Sequence, residues 1–225
     1  ETWPMQLLGV DFHGRFTAFR HVGVFPEQLA HWSWMKEKVE TAGRPVKVLN
    51  LFGYTGVASL VAASAGAEVT HVDASKKAIG WARENQTLGR MEKLPIRWIC
   101  EDAMKFIQRE ERRGSKYDII LTDPPKFGRG TNGEVWHLFE HLPLMLDQCR
   151  EIHLAATQRL ADLRELAGAE EHRAQAVADD HHRNRLILVG QQGHLRLEQR
   201  NTCDLPHHAA IVNDGVAGPD AVLGA

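Results

Sequence analysis

Between Val46 and Leu121 the chain alternates short apolar runs with stretches whose apolar residues recur at helical spacing. Val46–Phe52, Glu68–Val72, Ile96–Cys100 and Tyr117–Leu121 have the length and apolar content of strands buried on both faces of a parallel sheet. Helices are expected over Val57–Ala65, Lys76–Gln86 and Ala103–Arg112, and a last one from Gly133 or Glu134 to Arg150. Four strand–helix units with short connections predict an α/β fold: a Rossmann-like open parallel sheet with helices on both faces. Upstream, Val10–Phe25 reads as extended, with Phe12, Phe16 and Phe19 among Arg15, Arg20 and His21 and turns at Gly14 and Gly23. Pro26-Glu27-Gln28 opens a helix through Leu29, Trp32, Met35, Lys36 and Val39, which Gly43-Arg44-Pro45 ends.

After Arg150 the pattern weakens. Leu154–Val177 reads as helical, and Arg185–Gly190 reads as a strand able to pair with His194–Glu198 through Gln191-Gln192-Gly193. Composition marks the same place. All six Trp, eight Phe, two Tyr and nine Lys precede Arg150, whereas seven of the thirteen His follow it. Aromatic side chains supply much of a core's apolar area, so the final 75 residues are expected to pack poorly and to contribute at most the hairpin Leu186–Glu198. The expected organisation is a lead-in segment (1–45), a cofactor-binding unit (46–150) and an atypical tail (151–225). The tail's composition resembles a GC-rich gene read out of frame.

In an open parallel sheet, ligands bind beyond the carboxyl ends of the strands, where the strand order reverses. The first end carries Asn50-Leu51-Phe52-Gly53-Tyr54-Thr55-Gly56. Gly53 lets the backbone approach a ligand, and Gly56 begins a helix whose N-terminus favours an anion. The second end carries Asp73, placed to accept hydrogen bonds from ribose hydroxyls. The third carries Glu101-Asp102, placed for an adenine amine. The fourth carries Asp123-Pro124-Pro125-Lys126-Phe127. The two prolines can continue neither strand nor helix, which aims Asp123 and the adjacent carbonyls into the cleft and leaves Phe127 to stack on a flat group.

In their order, LNLFGYTG, THVDAS, CEDAMKF and LTDPPKFGRG resemble class I S-adenosylmethionine-dependent methyltransferases, and more narrowly the group containing the bacterial 23S rRNA large-subunit methyltransferases. GVFPEQLAHW is similar to that group's lead-in segment. The resemblance runs from about Phe12 to Arg150 and implies S-adenosylmethionine as cofactor. It implies that Phe52 to Gly56, with Asn50, hold the methionine part. Asp73 with Ala74 and Ser75 would hold the ribose, and Asp102 with Ala103 the adenine. Gln28 would touch the cofactor. Asp123, Pro124, Pro125, Lys126 and Phe127 would face the methyl group and the acceptor, an RNA base of rRNA.

Other features read more plainly. Three scattered cysteines favour neither zinc nor disulfides and suit a reducing cytoplasm. His181-His182 and His207-His208 lack companions at metal-ligand spacing, so no metal is expected. Cys100 reads as core, Cys149 as lacking a catalytic context, and Arg109–Arg113 as a solvated helix face. Trp32 and Trp34 read as packing residues. A net charge of −2 does not itself point to nucleic acid. No apolar run is long enough to span a bilayer, no signal peptide is evident, and no membrane partner is expected. Two other functions fit a Rossmann-like sheet: a nicotinamide- or flavin-dependent oxidoreductase, which would want G-x-G-x-x-G, and a non-catalytic cofactor-binding remnant.

Overall fold

The computed structural model describes residues 1–17, 22–154, 186–187 and 209–212. Strands β1 (Thr2–Leu7) and β2 (Val10–Arg15) form an antiparallel hairpin. A 3-10 turn (Pro26–Gln28) leads into α1 (Leu29–Thr41). The α/β alternation follows: β3 (Lys47–Leu51), α2 (Val57–Ser64), β4 (Glu68–Asp73), α3 (Lys76–Leu88), β5 (Ile96–Cys100), α4 (Ala103–Arg112) and β6 (Ile119–Thr122). Then come the short strands β7 (Phe127–Arg129) and β8 (Val135–His137), α5 (Leu138–Ile152), β9 (Leu186–Ile187) and β10 (Ala209–Val212).

The central sheet has the order β5-β4-β3-β6-β10-β9. Its first four strands are parallel and the last two antiparallel. The order reverses between β3 and β4 on one side and β6 on the other, which is the switch point expected from the sequence. Two apolar layers cover the sheet. Val48, Leu60, Val61 and Val69 pack on one face with α1 and α2. Leu49, Leu51, Phe106, Ile107, Leu142 and Met145 pack on the other with α4 and α5. Among the described residues no helix is long and apolar enough to cross a membrane.

Several expectations are corrected. The helix expected from Gly133 or Glu134 starts at Leu138, because residues 127–137 form the hairpin β7–β8. Within the extended reading of Val10–Phe25, Val10–Arg15 forms a strand and Phe25 has extended backbone, while residues 18–21 lie outside the described residues. Leu186–Ile187 pairs with Ala210–Ile211; the partner expected for it, His194–Glu198, lies outside the described residues. The β6 edge is covered by β10, which pairs Ala209–Val212 with Thr122–Ile119. Cys100 is exposed and not core, since it ends the edge strand β5. The solvated reading of Arg109–Arg113 fails at Glu110. That carboxylate is buried, accepting from the Tyr117 hydroxyl and the Arg113 guanidinium, each at 2.9 Å. Phe19, Arg20, His21, the helix expected beyond Leu154, His181-His182 and His207-His208 also lie outside the described residues.

Candidate functional site

A cleft of about 1520 Å³ opens over the carboxyl ends of β3, β4 and β6. Sixteen of the seventeen site residues expected from the sequence line it: Gln28, Asn50, Phe52, Gly53, Tyr54, Thr55, Asp73, Ala74, Ser75, Asp102, Ala103 and the run Asp123 to Phe127. Gly56 does not. It caps α2 at φ +78°, and a Cβ there would lie 2.8 Å from Ala82 Cβ and 3.0 Å from the Trp98 ring. Glycine is therefore required at that position for conformation and packing. Val57 and Ala58, the first residues of α2, reach the cleft in its place.

The loop after β3 turns sharply. Phe52 (φ +53°) and Tyr54 (φ +50°) both adopt the left-handed region, a cost of order 1–3 kcal/mol each that the surroundings must offset. They do so from below. A Cβ on Gly53 would lie 2.4 Å from His71 Cε1. The His71 ring is buried, with Nδ1 2.9 Å from Ser59 Oγ, which accepts from Asn50 Nδ2 at 2.9 Å. Asn50 thus serves this buried network as well as lining the cleft. Burial holds the His71 pKa down to about 3, so the ring is neutral.

Asp73 ends β4 beneath that loop. Its carboxylate accepts from Tyr54 N at 2.9 Å and Ser75 N at 2.8 Å. Burial raises its pKa, and these two backbone bonds oppose the rise. Each oxygen keeps lone-pair capacity beyond its one backbone bond, which fits a ribose diol. Asp102 Oδ1 caps α4 by accepting from Lys105 N at 3.0 Å. Glu101, expected beside the adenine, is instead held by the Arg109 guanidinium. Ser75 Oγ caps α3 by accepting from Ala78 N at 3.2 Å.

At the far end, Gln28 Nε2 donates to Asp123 Oδ2 at 3.4 Å, which ties the lead-in segment to the fourth strand end. Asp123, Pro124 and Pro125 line the cleft as expected. The carbonyls beyond them do not point into it. Pro125 O accepts from Trp136 Nε1 at 2.7 Å, and Lys126 O accepts from Leu138 N at 3.1 Å. Phe127 is 62% exposed at the mouth.

The sequence reading did not identify the wall supplied by the N-terminal hairpin and α3. Arg15 lies over the Trp81 ring and pairs with Glu84. Buried Asn85 accepts from His13 N at 2.8 Å and donates to Thr55 O at 2.9 Å, while Thr55 Oγ1 donates to Gly23 O at 2.6 Å. Arg15, Phe16, Gly23, Phe25, Trp81 and Glu84 therefore line the cleft beside the loop after β3. The only sequence signal was the helical spacing of Ala78, Trp81, Ala82 and Asn85. Trp32 and Trp34 both pack against the core as expected, and Trp32 also lines the cleft. Buried Cys149 has its thiol pKa raised to about 12. No group of three or more His, Cys, Asp or Glu among the described residues could hold a metal.

The strand order and this cleft define a Rossmann-like protein of the class I methyltransferase type. The chain belongs to the family described as conserved hypothetical protein 95, whose model matches residues 28–180. That match continues past Arg150, where the sequence reading had the resemblance stop. The chain is similar to the solved SAM-dependent methyltransferase from Agrobacterium tumefaciens, with 83% identity and a TM-score of 0.67 over 68% of this chain and 49% of that one. A solved chain complexed with SAH (S-adenosylhomocysteine) is 24% identical with a TM-score of 0.60, over 68% of this chain and 40% of its own. That likeness concerns the fold. Among curated proteins, ribosomal RNA large subunit methyltransferase I of Tolumonas auensis is 41% identical over 90 residues, 38% of this chain and 23% of that protein. Ribosomal RNA large subunit methyltransferase K/L of Syntrophotalea carbinolica is 35% identical over 109 residues, 48% and 14% respectively. The chain thus spans about half of the solved relative and less than a quarter of these two curated ones.

Proposed function

We propose that this cleft binds S-adenosylmethionine and directs its methyl group to a base of RNA, with rRNA as the acceptor. The observation that carries the reading is Asp73, a half-buried carboxylate with acceptor capacity left over, at the second strand end beneath a strained loop. The names of the curated relatives support rRNA as the acceptor. In this reading Asp73 takes the ribose, Ala74 and Ser75 close that end, Asp102 and Ala103 take the adenine, and the loop from Phe52 to Thr55 with Asn50 takes the methionine part. Gln28 orients Asp123. Residues 1–45 act as the lead-in wall, 46–150 as the cofactor unit and 151–225 as an atypical tail that adds strands to its sheet. An rRNA acceptor also suits a cytoplasmic site of action.

The cofactor supplies a sulfonium-activated methyl group. The chain's task is therefore to hold the acceptor atom in line with that group. As the carbon–nitrogen bond forms and the carbon–sulfur bond breaks, the acceptor nitrogen sheds a proton. Asp123 is placed to accept the hydrogen bond from that N–H and to pass the proton to solvent. Phe127 and Lys126 hold the RNA beside that atom, through a base or its phosphate. The base must leave its stack to enter. The oxidoreductase reading loses support at Gly56, where the second glycine packs on Ala82 instead of facing the cleft.

Radiolabel transfer from tritiated S-adenosylmethionine to protein-free rRNA tests the reading. The full chain should label RNA. Asp123→Ala should lower turnover about 100-fold while leaving S-adenosylhomocysteine affinity nearly intact, as for a group acting mainly in the transition state. Full turnover in Asp123→Ala, or no label in any RNA from a chain that binds the cofactor, would overturn it.

A further inference from the structure

The β7–β8 hairpin has two different faces. On the inner one Gly128 pairs with Trp136, whose indole is buried, donates to Pro125 O and lies 5.1 Å from the Phe52 ring. This face fixes the hairpin to the Asp123–Pro125 segment. Residues directly opposite across paired strands share a face, so Phe127 with His137 and Arg129 with Val135 make up the outer one. Phe127 and Val135 are largely exposed there, with the His137 ring edge-on to Phe127 at 5.1 Å and Lys126 Nζ 5.6 Å from the Phe127 centroid. Neither Lys126 nor Arg129 pairs with an acid among the described residues. The nearby Glu134 is turned toward Lys105 and Asn132.

We infer that this outer face holds the nucleotide next to the target base of a single-stranded RNA, with Phe127 against a base and Arg129 on a phosphate. The inference rests on the RNA-acceptor reading above. Residues 123–129 run without a break along the cleft, so a strand whose base enters at Asp123 leaves across Phe127 and Arg129. These two residues stand about 6.8 Å apart on one face, a step that takes a bound strand from a stacked base to a phosphate. The face carries an aromatic ring, an aliphatic side chain and cations, and no acid or amide. It therefore suits stacking and charge neutralisation without sequence readout, the chemistry of single-strand binding. A duplex hides its base faces and should bind less well.

Fluorescence anisotropy with a labelled mixed-sequence RNA of about 12 nucleotides, single-stranded and as a duplex, tests this on the full chain. The single strand should bind more tightly than the duplex. Phe127→Ala should weaken single-strand binding about tenfold, and Phe127→Trp should restore it. Arg129→Ala should reduce the salt slope by about 0.7, the value for one phosphate contact on a single strand. Val135→Glu should weaken binding, and neither it nor Arg129→Ala should change S-adenosylhomocysteine affinity. Variants that bind RNA with wild-type affinity and slope would overturn the hairpin assignment while leaving the RNA-acceptor reading in place. Loss of S-adenosylhomocysteine affinity in Arg129→Ala or Val135→Glu would also overturn it, because the effect would then be on the fold. A wild-type chain that binds S-adenosylhomocysteine but no RNA would overturn both.

Discussion

His71 shows how one buried side chain shapes the site without touching it. The ring fills the space under Gly53 and reaches Asn50 through Ser59. Its folded pKa of about 3 lies below the ordinary 6.5. Between these values the unfolded chain binds the extra proton, so the stability contributed by neutral His71 is lost as pH falls from 6.5 toward 3. Replacing it by Gln should remove that dependence. The stability advantage of wild type over His71→Gln should shrink by on the order of 2–3 kcal/mol between pH 7 and 4.5, measured by urea unfolding. Asn85 plays a second silent part by bonding both His13 N and Thr55 O. Asn85→Ala removes the partner of buried Thr55 O and of half-buried His13 N, so it should cost about 2–4 kcal/mol of stability and weaken S-adenosylhomocysteine binding, read by unfolding and calorimetry. Neither role was visible in the sequence, because each depends on contacts between distant segments, 72 residues apart for His13 and Asn85. Asp73 and Asp123 were visible because a strand's end places a side chain whatever the rest of the chain does.

The strands and helices that bury continuous apolar faces were read almost to their ends: β3, α2, β4, α3, β5 and α4 each start and finish within a few residues of expectation. The β7–β8 hairpin was not. Each of its strands has three residues, too few for an alternation to register, and the second fell within the helix expected from Gly133 or Glu134. Its stability comes from Trp136, a single inward anchor. That anchor yields a test at this scale. Trp136→Phe keeps a ring against Phe52 but loses the N–H to Pro125 O. The acceptor segment should loosen, lowering kcat about tenfold, the size of one net hydrogen bond. Cofactor affinity should hold, since the ring against Phe52 is kept and Asp73 lies across the switch point. Steady-state kinetics with calorimetry would separate the two effects. An equal fall in both would make Trp136 a general packing residue.

Over the whole molecule, the parallel half of the sheet and the cleft above it form a coherent unit, and the tail joins it through backbone pairing of β10 with β6. The sequence led to the expectation of a poorly packed tail supplying at most the hairpin Leu186–Glu198, because residues after Arg150 lack the aromatics that mark a packed core. Backbone pairing requires no aromatic side chain, so composition was a poor guide to it. The family match to residue 180 likewise crosses the compositional boundary. The cleft was legible in advance because its floor is built from strand ends in fixed order, whereas its wall from β2 and α3 depends on tertiary docking. Everything proposed for this chain depends on that cleft being a cofactor site with Asp73 at its ribose end. Titration calorimetry of the full chain with S-adenosylhomocysteine tests this directly. Saturable one-to-one binding that weakens about tenfold or more in Asp73→Asn is the predicted result; no binding by the wild-type chain, or equal affinity in the variant, would contradict the account.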